Sequence, residues 1–462
     1  MTTEPGLDPA GGGAAPAARP PPSLARTTFL ALQADVATAL SDLTMAIVVA
    51  RALGPANRGI YFLALFAAGL IALIGNMGTA TAAIVFGANQ RVPLAQLHGI
   101  AIAFSVTVGA LGAALLLGLA DVWQDSVLGG VDDTMLVLVS ISIAPLIYAQ
   151  IVGAQLTGMG HVPAISRLRI GLAVAAPLLT IPAVLIGDGE PGWPVAAWVV
   201  AMIAFALAVG RLAWSRIGRP ARPQSAGIRE VLSFSLRGHL GTLAHQGFLR
   251  VDVLFVSAYL GPASVGLYAQ ASVLAERMST LGHAVYSSSA ARLGSDPPEQ
   301  AAVLAAEIVR ALLILMIPVA IVLAIGSKLV MRVLFGAEFE PAAEPFAILL
   351  PGTVCLTLWY VLALYTLSTL RRPGLTTIIQ GVAFLCAAPL YWIAVREWGV
   401  NGAAVVSTAI YFGICAAGAA MLVRSPAVRP RDLVPTPRDA TRMLGLARAA
   451  LAAVAGRVAR SR

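Results

Sequence analysis

The sequence predicts an all-α polytopic membrane protein with about twelve transmembrane helices in two six-helix bundles. Three observations support this prediction: the composition, the length of the apolar runs and an internal repeat. Of the 462 residues, 58% are hydrophobic and 11% are charged, and the mean hydropathy is +0.83. Soluble globular domains average about 45–50% apolar and about 25% charged residues. The composition therefore excludes a soluble enzyme, a secreted disulfide scaffold and a disordered chain.

The apolar runs have the length of membrane-spanning helices, each of which needs roughly 20 mostly apolar residues. They are continuous, whereas the strands of an outer-membrane barrel alternate polar and apolar residues. We predict spans at residues 27–52, 58–86, 94–120, 134–157, 162–187, 193–215, 229–258, 263–290, 300–326, 342–370, 374–395 and 400–423.

The spans divide the chain into five regions. Residues 1–26 are rich in Pro, Gly and Ala and are predicted to be a disordered N-terminal tail. We assign residues 27–215 to the first bundle, 216–228 to a basic cytoplasmic linker and 229–423 to the second bundle. Residues 424–462 are predicted to be a basic cytoplasmic tail. Its last part has the pattern of an amphipathic helix on the membrane surface, and a solvated, frayed tail is the alternative.

The distribution of arginine predicts the orientation, because Lys and Arg concentrate in cytoplasmic loops. When both termini are placed inside, most of the 31 basic residues fall in the inside segments. The net charge of +9 is then a consequence of topology and does not indicate nucleic-acid binding. We therefore predict a multi-pass protein with both termini in the cytoplasm.

An internal repeat relates the two predicted bundles at a constant offset of 207 residues. The repeated segments are Leu53–Ala56 with Leu260–Ala263, Gly59–Tyr61 with Gly266–Tyr268, and Gly192 with Gly399. Because each half has an even number of spans, the halves have the same topology, and a substrate is expected between them near mid-membrane. We interpret the Leu-Gly-Pro motif as a hairpin device, since Gly and Pro both break helices.

The segment Arg51–Tyr61 resembles the first hairpin of the Wzx-type polysaccharide or O-antigen flippase family, within the multidrug/oligosaccharidyl-lipid/polysaccharide (MOP) exporter superfamily. The second copy, Tyr259–Tyr268, stands where that family repeats the motif. Leu334–Phe339 and Gly399–Ala404 resemble two further segments of the family. The resemblance covers roughly residues 27–423 and implies a V-shaped pair of bundles similar to MATE and MurJ transporters.

The resemblance implies a transporter that flips an undecaprenyl-pyrophosphate-linked oligosaccharide across the bacterial cytoplasmic membrane for cell-surface polysaccharide biosynthesis. It implies alternating access with ion or proton coupling. The implied partners are the lipid-linked oligosaccharide and membrane lipids, with a polysaccharide polymerase or glycosyltransferases as further candidates. Two alternatives stay open, namely a MATE-like multidrug exporter driven by Na⁺ or H⁺ and a non-transporting scaffold for envelope assembly.

Ionisable side chains within the spans are the candidate functional residues, because charge inside a bilayer is costly and usually faces a cavity or a partner. Arginine offers a forked, permanently charged set of donors that suits a pyrophosphate. We predict a headgroup site at Arg237, Arg250 and Arg277. The alternative is that these charges are structural, with Arg250 paired to Asp252 and Arg277 paired to Glu276.

Carboxylates within the spans are candidates for coupling. Asp35 and Asp42 are seven residues apart and therefore lie on one helix face. Together with Asp252 and Glu276, they are predicted either to bind a coupling cation or proton or to balance the charge of the arginines, in particular those of the seventh span.

Other residues carry simpler interpretations. Arg51 and Arg58 flank the first hairpin and are predicted to anchor helix ends at the membrane interface. The sequence contains no Walker lysine motif, no nucleophile elbow and no metal-ligand spacing of the HExxH type. We therefore expect no enzymatic activity, no cofactor and no metal site.

Overall fold

The computed structural model describes residues 24–436, 439 and 441, without the side chains of residues 24–26, 28, 237, 238 and 280–291. Residues 1–23 of the predicted N-terminal tail lie outside the described residues. The amphipathic helix predicted in the C-terminal tail lies almost entirely outside them as well.

The described part of the chain is all α-helical, with short 3₁₀ and π segments and no strand. The α-helices are α1 (Leu24–Gly75), α2 (Thr79–Asn89), α3 (Leu94–Gly118), α4 (Ala120–Ser126), α5 (Asp133–Gly158), α6 (Val162–Ile186), α7 (Gly192–Ile217), α8 (Ser225–Ser295), α9 (Pro298–Ile325), α10 (Ser327–Phe335), α11 (Ala343–Leu364) and α12 (Pro373–Leu422).

Three of these helices are too long to be single spans. The apolar stretches within α1, α8 and α12 contain 47, 41 and 50 residues, whereas a bilayer core needs roughly 20. Each helix contains one glycine with a non-helical backbone, and these are Gly54, Gly261 and Gly399, with φ of 68°, 76° and 58°. Division at these glycines turns the nine long apolar helices of the described chain into twelve spans, and this confirms the predicted architecture.

Side-chain contacts show that the chain reverses at these glycines. Arg250 and Glu276 of α8 form an ion pair with an N–O distance of 3.0 Å, although they would lie about 39 Å apart on a straight helix. In α12, the hydroxyls of Tyr391 and Ser407 are 2.8 Å apart across the break. A left-handed φ suits glycine, which has no Cβ to clash with the carbonyl oxygen. The Gly-Pro motifs therefore form helical hairpins.

The two copies of the repeated hairpin pack against each other. A Cβ on Gly59 would lie 1.8 Å from the carbonyl oxygen of Pro262, and a Cβ on Gly266 would lie 2.0 Å from that of Pro55. The repeat offset exchanges these two contacts, so the interface has local two-fold symmetry. The second glycine of the motif thus has a role beyond the hairpin turn, because it lets the backbones of the two halves touch. We call this end of the molecule the hairpin end.

Polar contacts also join the halves at the hairpin end. The guanidinium of Arg51 donates to the carbonyl oxygens of Val333 and Leu334 at the C-terminus of α10. A cation at this position satisfies carbonyls that have no partner within the helix. The hydroxyl of Ser257 donates to the carbonyl oxygen of Val127 over 2.6 Å. Arg51 therefore holds a helix end of the opposite half, a role that its interpretation as an interface anchor did not include.

The linker between the halves lies at the opposite end of the molecule, which we call the linker end. Helix α7 ends at Ile217 and α8 begins at Ser225. The backbone N–H of Ala221 donates to the carbonyl oxygen of Ala95 over 2.8 Å. A Cβ on Gly99 would lie 1.9 Å from the carbonyl oxygen of Ala221. The linker is thus packed closely on the first turns of α3.

The described part of the C-terminal tail folds back on α9. The guanidinium of Arg310 lies 3.3 Å from a carboxylate oxygen of Asp439 and donates to the carbonyl oxygen of Asp432. Hydrogen bonds from the hydroxyl and backbone N–H of Thr436 lower the pKa of the Asp439 carboxyl. The start of the tail is therefore attached to the second half.

Candidate substrate cavity

A cavity of about 650 Å³ lies between the two halves. Most of its wall comes from α1, α5, α6 and α7 of the first half, and Arg250 and Val273 of α8 close it from the second half. The lining is largely aromatic and aliphatic, with Asp42, Arg58, Arg169 and Arg250 as its charged members. A largely apolar cavity with a few convergent polar groups is the usual form of a ligand site. It also lies where a parallel repeat predicts a substrate to bind.

Arg58 is buried at the edge of this cavity, with 5% of its surface exposed. Its guanidinium carbon lies 5.3 Å from the ring centre of Tyr61 and 5.6 Å from that of Phe62. The Nη2 atom is 3.5 Å from Oε1 of Gln270, which is a long hydrogen bond. Within the described structure, Nε and Nη1 have no hydrogen-bond partner. Both atoms are also buried, and since each buried unsatisfied polar group costs about 1–3 kcal/mol, the guanidinium of Arg58 is incompletely satisfied in this structure.

The sequence interpretation of Arg58 as an interface anchor is wrong. The residue follows the first hairpin closely, but the packing of one hairpin on the other buries it. The repeat contained a signal that could have identified it. At the offset of 207 residues, the counterpart of Arg58 is Val265, a core residue with 1% of its surface exposed. An arginine at the position of a buried valine indicates a special local environment.

Arg250 is held by a carboxylate within the same hairpin of α8. Its Nη1 and Nη2 atoms donate to Oε1 and Oε2 of Glu276 over 3.0 and 3.2 Å. Such a two-point contact is the strongest form of an Arg–carboxylate pair. The alternative pairing of Arg250 with Asp252 is therefore wrong. Residues two positions apart on a helix do not face each other, whereas the reversal at Gly261 brings Glu276 opposite Arg250.

Arg277 forms an ion pair across the two halves. Its Nη2 atom donates to Oδ2 of Asp42 over 2.9 Å, and 235 residues separate the two in sequence. The alternative pairing of Arg277 with Glu276 is wrong, because adjacent residues of a helix point in different directions. Arg277 thus lies beside the cavity and holds one of the carboxylates that line it.

Asp35 pairs with Arg169 over 2.8 Å. Arg169 also lines the cavity, although no site role was predicted for it. In the described structure, Asp35 and Asp42 pair with Arg169 and Arg277 rather than with Arg250 of the seventh span, and the side chain of Arg237 in that span lies outside the described ones. Their partners, Arg169 and Arg277, lie in the fifth and eighth spans, because these spans are the ones that pack beside them.

Asp252 lies in a buried polar network outside the cavity. Its carboxylate accepts hydrogen bonds from the Tyr268 hydroxyl over 2.7 Å and from the Val253 N–H over 2.8 Å. The Ser407 hydroxyl lies 2.9 Å from the hydroxyl of Tyr268 and 2.8 Å from that of Tyr391. This network joins the hairpins of α8 and α12 inside the second half.

Arg237 lies in α8, but its side chain is outside the described ones. Of the three predicted headgroup arginines, the structure therefore places Arg250 on the cavity wall and Arg277 beside it. Arg58 and Arg169 are the cavity arginines that the sequence analysis did not identify as site residues. The described side chains contain no cluster of His, Cys, Asp or Glu that could hold a metal ion.

The positive charge of the cavity is unevenly satisfied. Arg169 and Arg250 each have a carboxylate partner. Arg58 appears in none of the ion pairs of the described structure. A guanidinium with free donors in a confined, poorly solvated site attracts anions more strongly than one in water. The arrangement therefore favours an anionic group at the Arg58 edge of the cavity.

The fold is similar to that of known transporters. The lipid II flippase MurJ, in an inward closed conformation, matches over 88% of this chain and 89% of its own length, with a TM-score of 0.72 and 15% identity. A multidrug resistance MATE family transporter of the MOP superfamily, in an inward-facing conformation, matches over 84% and 94%, with a TM-score of 0.61 and 14% identity. At these identities the similarity concerns the fold alone.

Sequence comparison identifies the family. Residues 48–344, more than half of the chain, match the family model described as polysaccharide biosynthesis protein. A comparison with curated proteins gives no match. The matched range contains both copies of the repeated hairpin and the three arginines that line the cavity. The chain therefore belongs to the polysaccharide biosynthesis protein family, as a multi-pass membrane protein whose fold is similar to those of MurJ and MATE transporters.

Proposed function

We propose that the protein flips an undecaprenyl-pyrophosphate-linked oligosaccharide across the bacterial cytoplasmic membrane, with both of its termini in the cytoplasm. The observation that supports this most directly is Arg58, a buried cavity cation whose Nε and Nη1 lack acceptors in the described structure. Pyrophosphate oxygens would supply such acceptors, and Arg–phosphate contacts are among the strong charge-assisted hydrogen bonds. Membership of the polysaccharide biosynthesis family supports the same cargo class.

In this proposal, Arg250, Arg277 and Arg237 complete the headgroup site. In the structure, Arg250 is paired with Glu276 and Arg277 with Asp42. An incoming pyrophosphate would compete with these carboxylates for the guanidinium groups. Because the pair of Arg277 with Asp42 joins the two halves, its release would weaken one connection between them. Substrate binding then favours a different arrangement of the halves, as alternating access requires.

The carboxylates released in this way are the proposed coupling groups. Asp42 and Glu276 would each lose an arginine when the headgroup binds, and a proton or cation would restore their charge balance. Asp252 is a further coupling candidate, because its buried carboxylate already accepts a hydrogen bond from Tyr268. Asp35 is proposed to balance Arg169 on the opposite wall. The oligosaccharide would occupy the cavity while the lipid chain remains in the bilayer.

The alternative of a cation exporter fits the cavity less well. Such an exporter needs a net acidic site, whereas this cavity is lined by three arginines and one aspartate. That aspartate, Asp42, is itself held by Arg277. A scaffold that transports nothing would not need a buried arginine with unpartnered N–H donors, as Arg58 has in the described structure.

The test is the transport of lipid-linked oligosaccharide in membrane vesicles from a deletion strain that carries variants of the protein. We expect Arg58→Gln to reduce flipping by about tenfold or more, since one charge-assisted hydrogen bond contributes about 1.5–3 kcal/mol. Arg58→Lys is expected to retain part of the activity. Arg396→Gln is the matched control, because Arg396 lies over the rings of Tyr259 and Trp392, away from the cavity. Normal flipping by Arg58→Gln would disprove the site.

A further inference from the structure

A second concave site, which we call the groove, lies on the outer side of the first half and encloses about 1190 Å³. Its walls come from α3, α5, α6 and α7, and Pro220 of the linker lies at one end. Neighbouring residues of the same helices divide between the two sites. Arg169 and Met202 line the substrate cavity, whereas Leu168 and Ile203 line the groove. The groove and the cavity are therefore separated by a wall one helix thick.

The polar groups of the groove lie at its linker end. Arg211 and Ser215 belong to the last two turns of α7, and His98 belongs to the first turns of α3. His98 has 1% of its surface exposed. Its Nε2 atom lies 3.0 Å from the Tyr148 hydroxyl, and its Nδ1 atom has no hydrogen-bond partner in the described structure. Arg211 is exposed and takes part in none of the ion pairs of the described residues.

The rest of the groove is apolar and open to the surroundings. Val106 of α3 and Leu207 of α7 are 59% and 69% exposed. Val106 lies eight positions after His98, which is a rise of about 12 Å along α3, a little less than half of a hydrocarbon core of about 30 Å. The groove thus has cationic and hydrogen-bonding groups at one end and a hydrocarbon surface that extends toward the middle of the membrane.

This pattern matches one leaflet of a charged bilayer. Basic pockets between transmembrane helices on the cytoplasmic side bind the headgroups of anionic lipids. The bias of arginine in the sequence predicts that the linker end faces the cytoplasm, and Arg216 and Arg219 add positive charge next to this end of the groove. The guanidinium of Arg211 provides suitable donors for a phosphate, whereas the Ser215 hydroxyl donates to the carbonyl oxygen of Leu212 over 2.8 Å. An acyl chain suits the apolar part of the groove.

We propose that the groove binds an anionic membrane phospholipid. Its phosphate lies against Arg211, its polar backbone lies near Ser215 and the His98–Tyr148 pair, and one acyl chain follows Leu168, Ile203 and Leu207. Because the wall is shared with the substrate cavity, the bound lipid braces α5, α6 and α7 from outside. This proposal concerns the first half of the fold and does not depend on the identity of the transported substrate.

The experiment is native mass spectrometry of the full-length protein, released from detergent and titrated with phosphatidylglycerol or phosphatidylcholine. We expect one phosphatidylglycerol to be retained in preference to phosphatidylcholine. Arg211→Gln should lower that retention by about tenfold, as expected for the loss of one charged contact. Arg222→Gln is the matched control, because it removes the same charge from the linker without touching the groove. It should leave retention unchanged.

A second variant tests the apolar part of the groove. Ala208→Trp fills the groove from α7 and should reduce the retention of phosphatidylglycerol while Arg211 is still present. Equal retention of the two lipids, or an unchanged affinity in both groove variants, would overturn the proposal. Displacement of phosphatidylglycerol by an equimolar amount of undecaprenyl phosphate would also overturn it, since the groove would then belong to the lipid chain of the substrate. None of these readouts requires transport, so they remain informative if the proposed function fails.

Discussion

At the residue scale, the three arginines of the cavity differ in what holds them. Arg250 makes a two-point contact with Glu276. Arg169 contacts a single oxygen of Asp35, and Arg58 lies near the rings of Tyr61 and Phe62. Aromatic rings attract a guanidinium without accepting conventional hydrogen bonds, and Nε and Nη1 of Arg58 have no partner in the described structure. Arg58 therefore has more free donor capacity than its neighbours.

The headgroup proposal predicts the effect of removing the sequence-identified arginines together. Replacement of Arg237, Arg250 and Arg277 by Ala should abolish transport, because it removes the guanidinium groups proposed to bind the pyrophosphate. The measurement is flipping in vesicles, with membrane expression measured in parallel. Normal transport by this variant would contradict the assignment of these three residues.

Stability and binding can be separated at Arg250. Arg250→Gln leaves the Glu276 carboxylate without its partner inside the membrane, and we expect a destabilisation of about 1–3 kcal/mol. The double variant Arg250→Gln with Glu276→Gln removes both charges and should recover most of the thermal stability. It should still be defective in transport if Arg250 contacts the substrate. Recovery of both stability and transport would show that the pair is purely structural.

At the scale of elements, the hairpins combine a turn with an interface. The left-handed glycines Gly54 and Gly261 reverse the chain, and Gly59 and Gly266 allow the two hairpins to approach. Both properties come from the missing Cβ of glycine. The contact between the two copies of the motif is reciprocal, because the glycine of each copy packs against a backbone carbonyl of the other.

This contact predicts a sharp difference between glycines of the same helix. Gly59→Ala places a Cβ 1.8 Å from a backbone oxygen of the other half, and such overpacking typically costs about 1–3 kcal/mol. Gly266→Ala should cost a similar amount because of the local symmetry. Gly69→Ala is the matched control, since a Cβ there has no heavy atom within 4 Å. It should be neutral or slightly stabilising. Thermal unfolding in detergent measures all three, and equal melting temperatures would refute the packing.

At the scale of the whole molecule, the halves are connected at several levels. The hairpins and Arg51 join them at the hairpin end, and the pair of Asp42 with Arg277 joins them beside the cavity. At the linker end, the chain itself connects the halves, and Ala221 of the linker packs on α3. Among the described residues, the Asp42–Arg277 pair is the ion pair that joins the halves at the proposed headgroup site, so a charged substrate can influence it directly.

The role of this connection can be tested by charge removal. Asp42→Asn and Arg277→Gln should each increase hydrogen–deuterium exchange in the hairpin of α1, and the double variant should show little further increase. Such non-additivity is expected when two residues act through one shared contact. Arg169→Gln is the matched control, because its pair with Asp35 lies within the first half. Equal changes in exchange for the control would show that the cross-half contact has no special role.

The sequence by itself determined the spans, the two halves and the family, because these depend on local features. Apolar runs of membrane length and a Gly-Pro motif at a fixed offset can be read without knowledge of the neighbours of any residue. The proposed headgroup arginines could be recognised as charges within spans for the same reason. The prediction that a substrate binds between the halves followed from the repeat alone.

Only the tertiary structure decided which charges meet and which face the cavity. Asp42 and Arg277 are 235 residues apart, and no local periodicity connects them. Pairings within one helix were expected from proximity in sequence, whereas chain reversal at a single glycine placed Glu276 against Arg250. Arg58 appears in the sequence as a surface residue, and the groove does not appear at all. Both depend on the packing of helices from distant parts of the chain, which the one-dimensional pattern of hydrophobicity does not encode.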